Sequence, residues 1–264
     1  MPHVSVLQKE VLDCLHPRPN ENFIDCTIGD GGHATAILEK TAPRGKVLGI
    51  DCQLRLRPRK RLILVEDNFA NLKKIVEKNN FHPVHGILFD LGYSSWHLEE
   101  SGRGFSFKKG EPLDMRYNLG SSLTAEKIVN YYSKFEIEKI LTKYGQENKA
   151  EKIAEKIIEA RRAKPVKTTL QLAGIIDQAG VAPQRSFQAL RIAVNNELEN
   201  LEKALPQALE ILQSGGRMAV ISFHSLEDRI TKQFCKSKPI IPSLKEIRFN
   251  PRARSAKMRV CQKI

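Results

Sequence analysis

The stretch Phe23-Ile24-Asp25-Cys26-Thr27-Ile28-Gly29-Asp30-Gly31-Gly32-His33 leaves a short apolar run, enters a glycine-rich turn and continues into the helical run Ala34 to Glu39. Glycine admits positive backbone angles and close approach, so this spacing marks a sharp turn. On an open parallel sheet, a strand, turn and helix in that order put the turn at the carboxyl edge, where a nucleotide-like ligand meets backbone amides. A glycine turn alone is a weak sign, and the surrounding sequence has to strengthen it.

Further apolar runs at Val47 to Ile50, Leu62 to Val65 and Gly86 to Phe89 alternate with helical or turn-rich sequence, the pattern of a parallel sheet. A fifth run, Met218 to Phe223, comes much later. It follows one long expected helix whose Leu190, Val194, Leu198, Leu201, Leu205 and Leu212 keep a single apolar stripe, with Pro206 expected to kink it near its end. Between the fourth and fifth strands, Ala125 to Tyr131, Glu136 to Tyr144, Asn148 to Arg162 and Thr169 to Gln178 read as helices. The expected organisation is therefore a Rossmann-like α/β domain of residues 1–103 and 187–264, interrupted by an inserted helical domain of residues 104–186.

The 264 residues are 41% hydrophobic, enough for a substantial core, and 43 Lys and Arg against 30 Asp and Glu leave a formal charge of +13. Such a balance favours a polyanionic partner, nucleic acid or an anionic membrane, with simple solubility as the plain alternative. No apolar run approaches the roughly 20 residues that cross a bilayer, and the first residues lack a secretory pattern, so a cytoplasmic protein without a membrane role is expected. Cys14, Cys26, Cys52, Cys235 and Cys261 are scattered without metal-type pairs; reduced thiols and no metal site are expected.

Acidic residues end the apolar runs. Asp51 closes the second, where a carboxylate can accept hydrogen bonds from ribose hydroxyls. Asp67-Asn68-Phe69 follows the third, where a polar side chain and an aromatic ring could border an adenine, or form an ordinary turn. Asp90 follows the fourth and opens Leu91-Gly92-Tyr93-Ser94-Ser95, pointing to the reaction centre or, failing that, to a turn cap.

At this point the sequence resembles the RsmH (MraW) family of S-adenosylmethionine-dependent ribosomal RNA cytosine-N4 methyltransferases, almost end to end. The segments that carry the likeness are His3-Val4-Ser5-Val6-Leu7, Gly31-Gly32-His33, Asp90-Leu91-Gly92, Arg103-Gly104-Phe105-Ser106-Phe107, Pro112-Leu113-Asp114-Met115-Arg116, Phe187-Gln188-Ala189-Leu190-Arg191, Ser222 to Arg229 and Asn250 to Lys257. The resemblance implies methylation of a cytosine in the decoding region of 16S ribosomal RNA, on the small ribosomal subunit. It implies donor contacts at Gly31, Gly32, His33, Asp51, Phe69 and Asp90, and at His97, where the family commonly carries glutamine. After Asp51 the chain departs from the family: residues 52–61, with Arg55, Arg57, Arg59, Lys60 and Arg61, replace a longer helical connection, and their basic side chains suit either RNA phosphate or a solvated connector. The stretches 178–187 and 234–250 also look short.

Cytosine's exocyclic amine is a poor nucleophile, so the site has to orient it towards the methyl group. Asp90 is the first candidate for that role, with Ser94, Ser95 and His224 around the base and Tyr93 and Trp96 as stacking surfaces. For RNA phosphate the candidates are Arg103, Arg161, Arg162, Lys164, Lys167, Arg191, Arg252 and Arg254, with Lys257 and Arg259 extending the last group. Two other readings stay open: a noncatalytic ribosome-assembly factor with the same fold, and a DNA amino-methyltransferase. The oligomeric state is also open, a homodimer included.

Overall fold

In the computed structural model, residues 5–264 are described; His3 and Val4 of the first motif lie outside the described residues. Strands β1 (Phe23–Asp25), β2 (Val47–Asp51), β3 (Leu62–Glu66), β4 (Val84–Asp90), β5 (Leu212–Ser222) and β6 (Lys257–Gln262) form one sheet in the order β3-β2-β1-β4-β5-β6. All neighbours pair in parallel except β6, which runs antiparallel to β5. The chain is thus a Rossmann-like α/β protein with an antiparallel edge. Strand order reverses between β1 and β4, and at such a switch point an open sheet leaves a crevice beyond its carboxyl ends.

The continuous apolar runs are explained by burial on both faces. Ile24, Leu48, Ile87, Phe89 and Val220 enter one apolar cluster, and their neighbours Phe23, Val47, Leu88 and Ile221 enter the other. The second cluster is closed by α1 (Gln8–Leu15) and α2 (Gly32–Lys40) through Val11, Leu15 and Ile37. The first is closed by Leu72 and Ile75 of α3 (Leu72–Lys78). Strand β5 starts six residues before the expected Met218, because its exposed Gln213, Ser214 and Gly215 carry no apolar signal.

The chain divides into two compact units, residues 1–92 with 198–264, and Tyr93–Glu197. The second unit contains α4 (Ser95–Glu99), α5 (Ala125–Tyr131), α6 (Lys134–Gly145), α7 (Ala150–Ala163), α8 (Thr169–Gln178) and α9 (Gln184–Asn195). Its core joins Ile128, Leu141, Ile153, Ile176 and Phe187, among others. Ser133 with Glu136, and Thr168 with Gln171, form reciprocal capping boxes that start α6 and α8.

The limits expected at Gly104 and Ser186 fall inside this unit. Phe187, Ala189, Leu190 and Val194 of α9 are part of the helical core, which extends the unit to Glu197. The single long helix expected from Leu190 to Leu212 is two helices, α9 and α10 (Glu197–Ile211), divided at Asn196 with φ 49°. Asparagine tolerates this left-handed conformation, and the unbroken leucine stripe concealed the break. Helix α10 runs through Pro206 and closes the first cluster of the sheet with Leu201 and Leu205.

Candidate active site

Three strands of the first unit end in aspartates. At the end of β1, Asp25 accepts the Thr27 amide (3.1 Å), and the Thr27 hydroxyl accepts the Asp90 amide at the end of β4 (2.7 Å). At the end of β2, the Asp51 carboxylate accepts the amides of Gly29 (2.9 Å) and Gln53 (3.2 Å), so it shapes the glycine turn directly. Gly29 and Gly31 have φ 47° and 77°. A β-carbon on Gly31 would stand 2.7 Å from Leu56 Cδ1, and one on Gly32 would collide with the Ser5 hydroxyl at 2.1 Å. Both glycines therefore admit the chain's own side chains, a reason for them that the ligand argument had not supplied.

Within this crevice three ionisable side chains are packed together. His33, on the first turn of α2, is 5% exposed, and its Nε2 lies 3.5 Å from Asp90 Oδ2, a charge contact rather than an aligned hydrogen bond. Neither ring nitrogen of His33 nor Asp90 Oδ1 has a hydrogen-bond partner among the described residues. Burial pushes the Asp25 carboxyl up to about 6, against the opposing pull of the His33 charge. Burial works against a charged His33, but Asp90, Asp25 and Glu246 together raise its pKa above the ordinary value. Asp51 is also raised, by burial, against the lowering effect of the amides it accepts and of Arg55. Asp25 is the residue to which the sequence reading assigned no role, although it ends its strand as Asp51 and Asp90 end theirs.

Phe69 lies half-buried, edge-on to Phe89 with ring centroids 5.6 Å apart. Its neighbours are structural: Asn68 Oδ1 accepts the Ala70 amide (2.8 Å), and Asp67 Oδ1 accepts the Asn68 amide (2.6 Å) and Asn71 Nδ2 (2.9 Å). The ordinary-turn reading of Asp67 and Asn68 is the one observed.

After β5, His224 caps α11 (Ser225–Cys235). Its Nδ1 accepts the Glu227 amide (3.4 Å), while Glu227 Oε2 accepts the amides of Phe223 (2.8 Å) and His224 (3.3 Å). One face of this histidine is thus committed to structure, and its Nε2 stands 3.2 Å from Glu227 Oε1. Arg259 does not extend a positive surface: it is 4% exposed, and its Nε donates to Asp228 Oδ1 (2.7 Å). Asp228 also holds Lys257 at 3.4 Å. Arg252 and Arg254 are exposed on the 3-10 turn Pro251–Ser255.

In the second unit, Ser94 and His97 pair across the start of α4, with 3.0 Å between Oγ and Nδ1. The side chain of Ser95 lies outside what is described. The His97 ring packs edge-on against Trp96, Phe105 and Tyr117 at 4.9 to 5.3 Å. Two of the arginines expected at RNA have partners within the chain. Arg191 is buried in a forked ion pair with Glu197 (2.9 and 3.0 Å) and covers the Tyr93 ring at 4.5 Å. Arg103 donates to the carbonyls of Arg116 and Tyr117 and covers Trp96 at 5.3 Å. These arginines also occupy a face of the two rings expected to stack on a base. Arg161 donates to the Val129 carbonyl (2.8 Å), whereas Arg162, Lys164 and Lys167 are exposed.

Residues 1–238 match the model of the MraW methylase family. The chain belongs to this family. It is 44% identical to the ribosomal RNA small subunit methyltransferase H of Dehalococcoides mccartyi, in a match covering all of this chain and 87% of that protein. It is 41% identical to the protein of the same name from Thermosipho melanesiensis, over 99% of this chain and 98% of the other. Among solved structures, an rRNA methylase from Streptococcus thermophilus aligns with a TM-score of 0.43 and 11% identity, covering 97% of this chain and 93% of that one.

The match to the Dehalococcoides relative extends over 306 positions, more than the methylase's 264 residues, so the relative carries segments that are missing here. One short connection in the methylase, residues 52–61, contains neither helix nor named strand. Leu54 and Leu56 pack against the sheet cluster in its place. Three of its five basic side chains are tied down, a correction to the phosphate reading. Arg55 pairs with Asp30 (3.0 Å), Arg59 donates to the Thr35 hydroxyl, and Arg61 donates to the carbonyls of Gly45 (2.8 Å) and Leu38 (3.0 Å). Among the described residues, no helix of the methylase is long and apolar enough to cross a membrane.

Proposed function

We propose that the methylase transfers a methyl group from S-adenosylmethionine to the N4 amine of a cytosine in the decoding region of 16S ribosomal RNA, on the small ribosomal subunit in the cytoplasm. The observation that carries this reading is the buried polar cluster at the β1–β4 switch point. There a glycine turn, three strand-end carboxylates and a buried histidine leave the His33 nitrogens and Asp90 Oδ1 without hydrogen-bond partners among the described residues. Buried polar atoms without partners are rare unless a ligand or water meets them. The donor's amino and carboxylate groups fit these atoms. Its ribose fits Asp51, whose carboxylate accepts backbone amides and keeps lone-pair capacity for a hydroxyl. Gly31 and Gly32 give the turn its shape, with Leu56 and Ser5 packed against them, and Phe69 borders the adenine. The names of the relatives support the ribosomal substrate.

S-adenosylmethionine supplies an electrophilic methyl group on a sulfonium sulfur. Asp90 orients the amine by accepting one of its hydrogens, which favours localisation of the nitrogen lone pair. As the nitrogen–carbon bond forms, the carbon–sulfur bond breaks with its electron pair going to sulfur, and the amine then loses a proton to solvent or a neighbouring acceptor. Ser94 and Ser95 are assigned to the base from their place after Asp90, together with His97 on the donor side. His224 contributes through Nε2, since Nδ1 serves its helix cap. RNA phosphates meet Arg162, Lys164 and Lys167 of the helical unit, with Arg161 beside them, and Arg252 and Arg254 of the sheet unit. Arg103 and Arg191 shape the unit that receives RNA rather than contacting phosphate.

Labelled-methyl transfer to small subunits lacking the modification tests this reading, with naked ribosomal RNA and DNA as controls. N4-methylcytidine in digested 16S RNA is expected; label in DNA alone would replace the substrate. A second reading, an assembly factor with the methylase fold, is favoured by residues 52–61, which set Leu56 against Gly31 and Arg55 on Asp30. Subunit binding without transfer would select it.

A further inference from the structure

The sheet unit carries a second concavity, at the carboxyl end of β5. This cleft, of about 360 Å³, is lined by Phe223, Ile241, Pro242 and Ile247, and by Arg254 and Lys257. No carboxylate among the described residues lines it. Acids next to the lining residues are engaged: Glu227 accepts two backbone amides, Glu246 accepts the Leu7 amide, and Asp228 is shared between Arg259 and Lys257, leaving that last trio with a net positive charge. The first turn of α11 contains Glu227 and Asp228, which offset the helix dipole, so attraction for an anion comes from the side-chain cations. Arg254 is exposed and makes no hydrogen bond or ion pair among the described residues. Ile241 is 65% exposed, a large apolar side chain turned to solvent beside that free guanidinium.

An apolar wall next to unpaired positive charge suits a group with a flat apolar face and a negative charge close together. A nucleotide has both. The volume sits near the lower end of small-ligand pockets, roughly 300 Å³, which fits one nucleotide and excludes a helical stem. Duplex RNA keeps its bases stacked and paired, whereas a single strand can turn a base out onto an apolar surface while its phosphate meets arginine.

We propose that this cleft binds one nucleotide of single-stranded RNA, its base against Phe223 and Ile241 and its phosphate at Arg254 and Lys257. The choice of RNA among polyanions rests on the methyl-transfer reading above. The cleft lies beyond β5 and adjoins the end of β4: His224 lines it, and Phe223 packs against Gly92 just after Asp90.

The test uses the full chain and a short fluorescein-labelled single-stranded oligoribonucleotide of mixed sequence, with polarisation measured across a salt series. Arg254→Gln is expected to weaken binding about fivefold at low salt and to make the salt slope shallower by about one unit. Ile241→Ala is expected to weaken binding about threefold with the slope unchanged, since it removes apolar contact and no charge. Both variants should bind S-adenosylhomocysteine as the parent does, which separates a lost subsite from a lost fold. Unchanged RNA affinity in both variants overturns the proposal, as does duplex RNA competing as well as the single strand. Methyl transfer by the unaltered protein to small subunits is read in parallel. Its failure beside intact, Arg254-dependent oligonucleotide binding counts against the methyl-transfer reading and still supports the cleft's occupant.

Discussion

The carboxyl ends of β4 and β5 lie side by side in one sheet and commit their polar residues to different degrees. Beyond β5, Glu227 and Asp228 are engaged by the first amides of a helix and by Arg259, and only His224 Nε2 is left without a hydrogen-bond partner among the described residues. At the end of β4, Asp90 Oδ1 and both nitrogens of His33 are buried without a hydrogen-bond partner among the described residues, beside an Asp25 carboxyl pushed up to about 6 mainly by burial. Leaving such groups unmatched costs about 1 to 3 kcal/mol each, so the cluster at β4 is expensive as architecture and sensible as a binding site.

The largest expected effect breaks the β4 side. Asp90→Ala should lower methyl transfer by about a thousandfold or more, because it removes a group that orients the reacting amine. Its thermal midpoint should stay close to the parent's, as Asp90 makes few internal bonds. Full retained activity would remove Asp90 from the mechanism. On the β5 side, Asp228→Ala should act on stability. It leaves the Arg259 charge, in a side chain 5% exposed, with the Ser237 carbonyl and no carboxylate, and loss of one member of such a pair costs about 4 kcal/mol. A denaturation midpoint equal to the parent's would show that the pair is dispensable.

The fold was legible where one strand or helix declares itself. Continuous runs such as Ile87-Leu88-Phe89 are what a sheet buried on both faces requires, and the capped helices after Thr124, Ser133 and Thr168 carry local start signals. What escaped depends on partners distant in sequence. Arg259 reads as surface charge until Asp228 is found beside it, and Arg191 as an RNA contact until Glu197 closes over it. Gly32 reads as a ligand glycine until Ser5 fills the space above it. The break at Asn196 was missed because the leucine stripe continues through it, although Asn195-Asn196 is a local signal that could have located it.

The buried cluster also predicts a pH dependence. The Asp25 carboxyl is raised from 3.8 to about 6 in the folded protein, so the folded state holds this proton more tightly than the unfolded chain does. Its favourable contribution is complete below about pH 4 and disappears as pH rises through about 6, a change approaching 3 kcal/mol at about 1.4 kcal/mol per unit. His33, also raised, acts in the same direction at higher pH: its contribution is present below its ordinary value and is lost as pH climbs through the folded one. Asp25→Asn should flatten the stability profile between pH 4 and 6 and leave the His33 limb. A variant whose stability falls over that interval as steeply as the parent's would show that Asp25 is not the group responsible.

The smallest expected effect compares exposed cations with paired ones in the helical unit. Arg162, Lys164 and Lys167 lie on the surface, whereas Arg103 and Arg191 are held by carbonyls, rings and Glu197. Each phosphate contact releases about one counterion, so changing the three exposed residues to Gln should make the salt slope of small-subunit binding up to about three units shallower. Affinity at physiological salt should fall only about tenfold, because other contacts persist. Arg191→Gln should instead lower the thermal midpoint, since it leaves Glu197 buried without its partner, and should leave the salt slope alone. If Arg191→Gln changed the slope while the triple variant did not, the paired arginines would be the ones that meet RNA, and the division between structural and substrate-facing charge would have to be reversed.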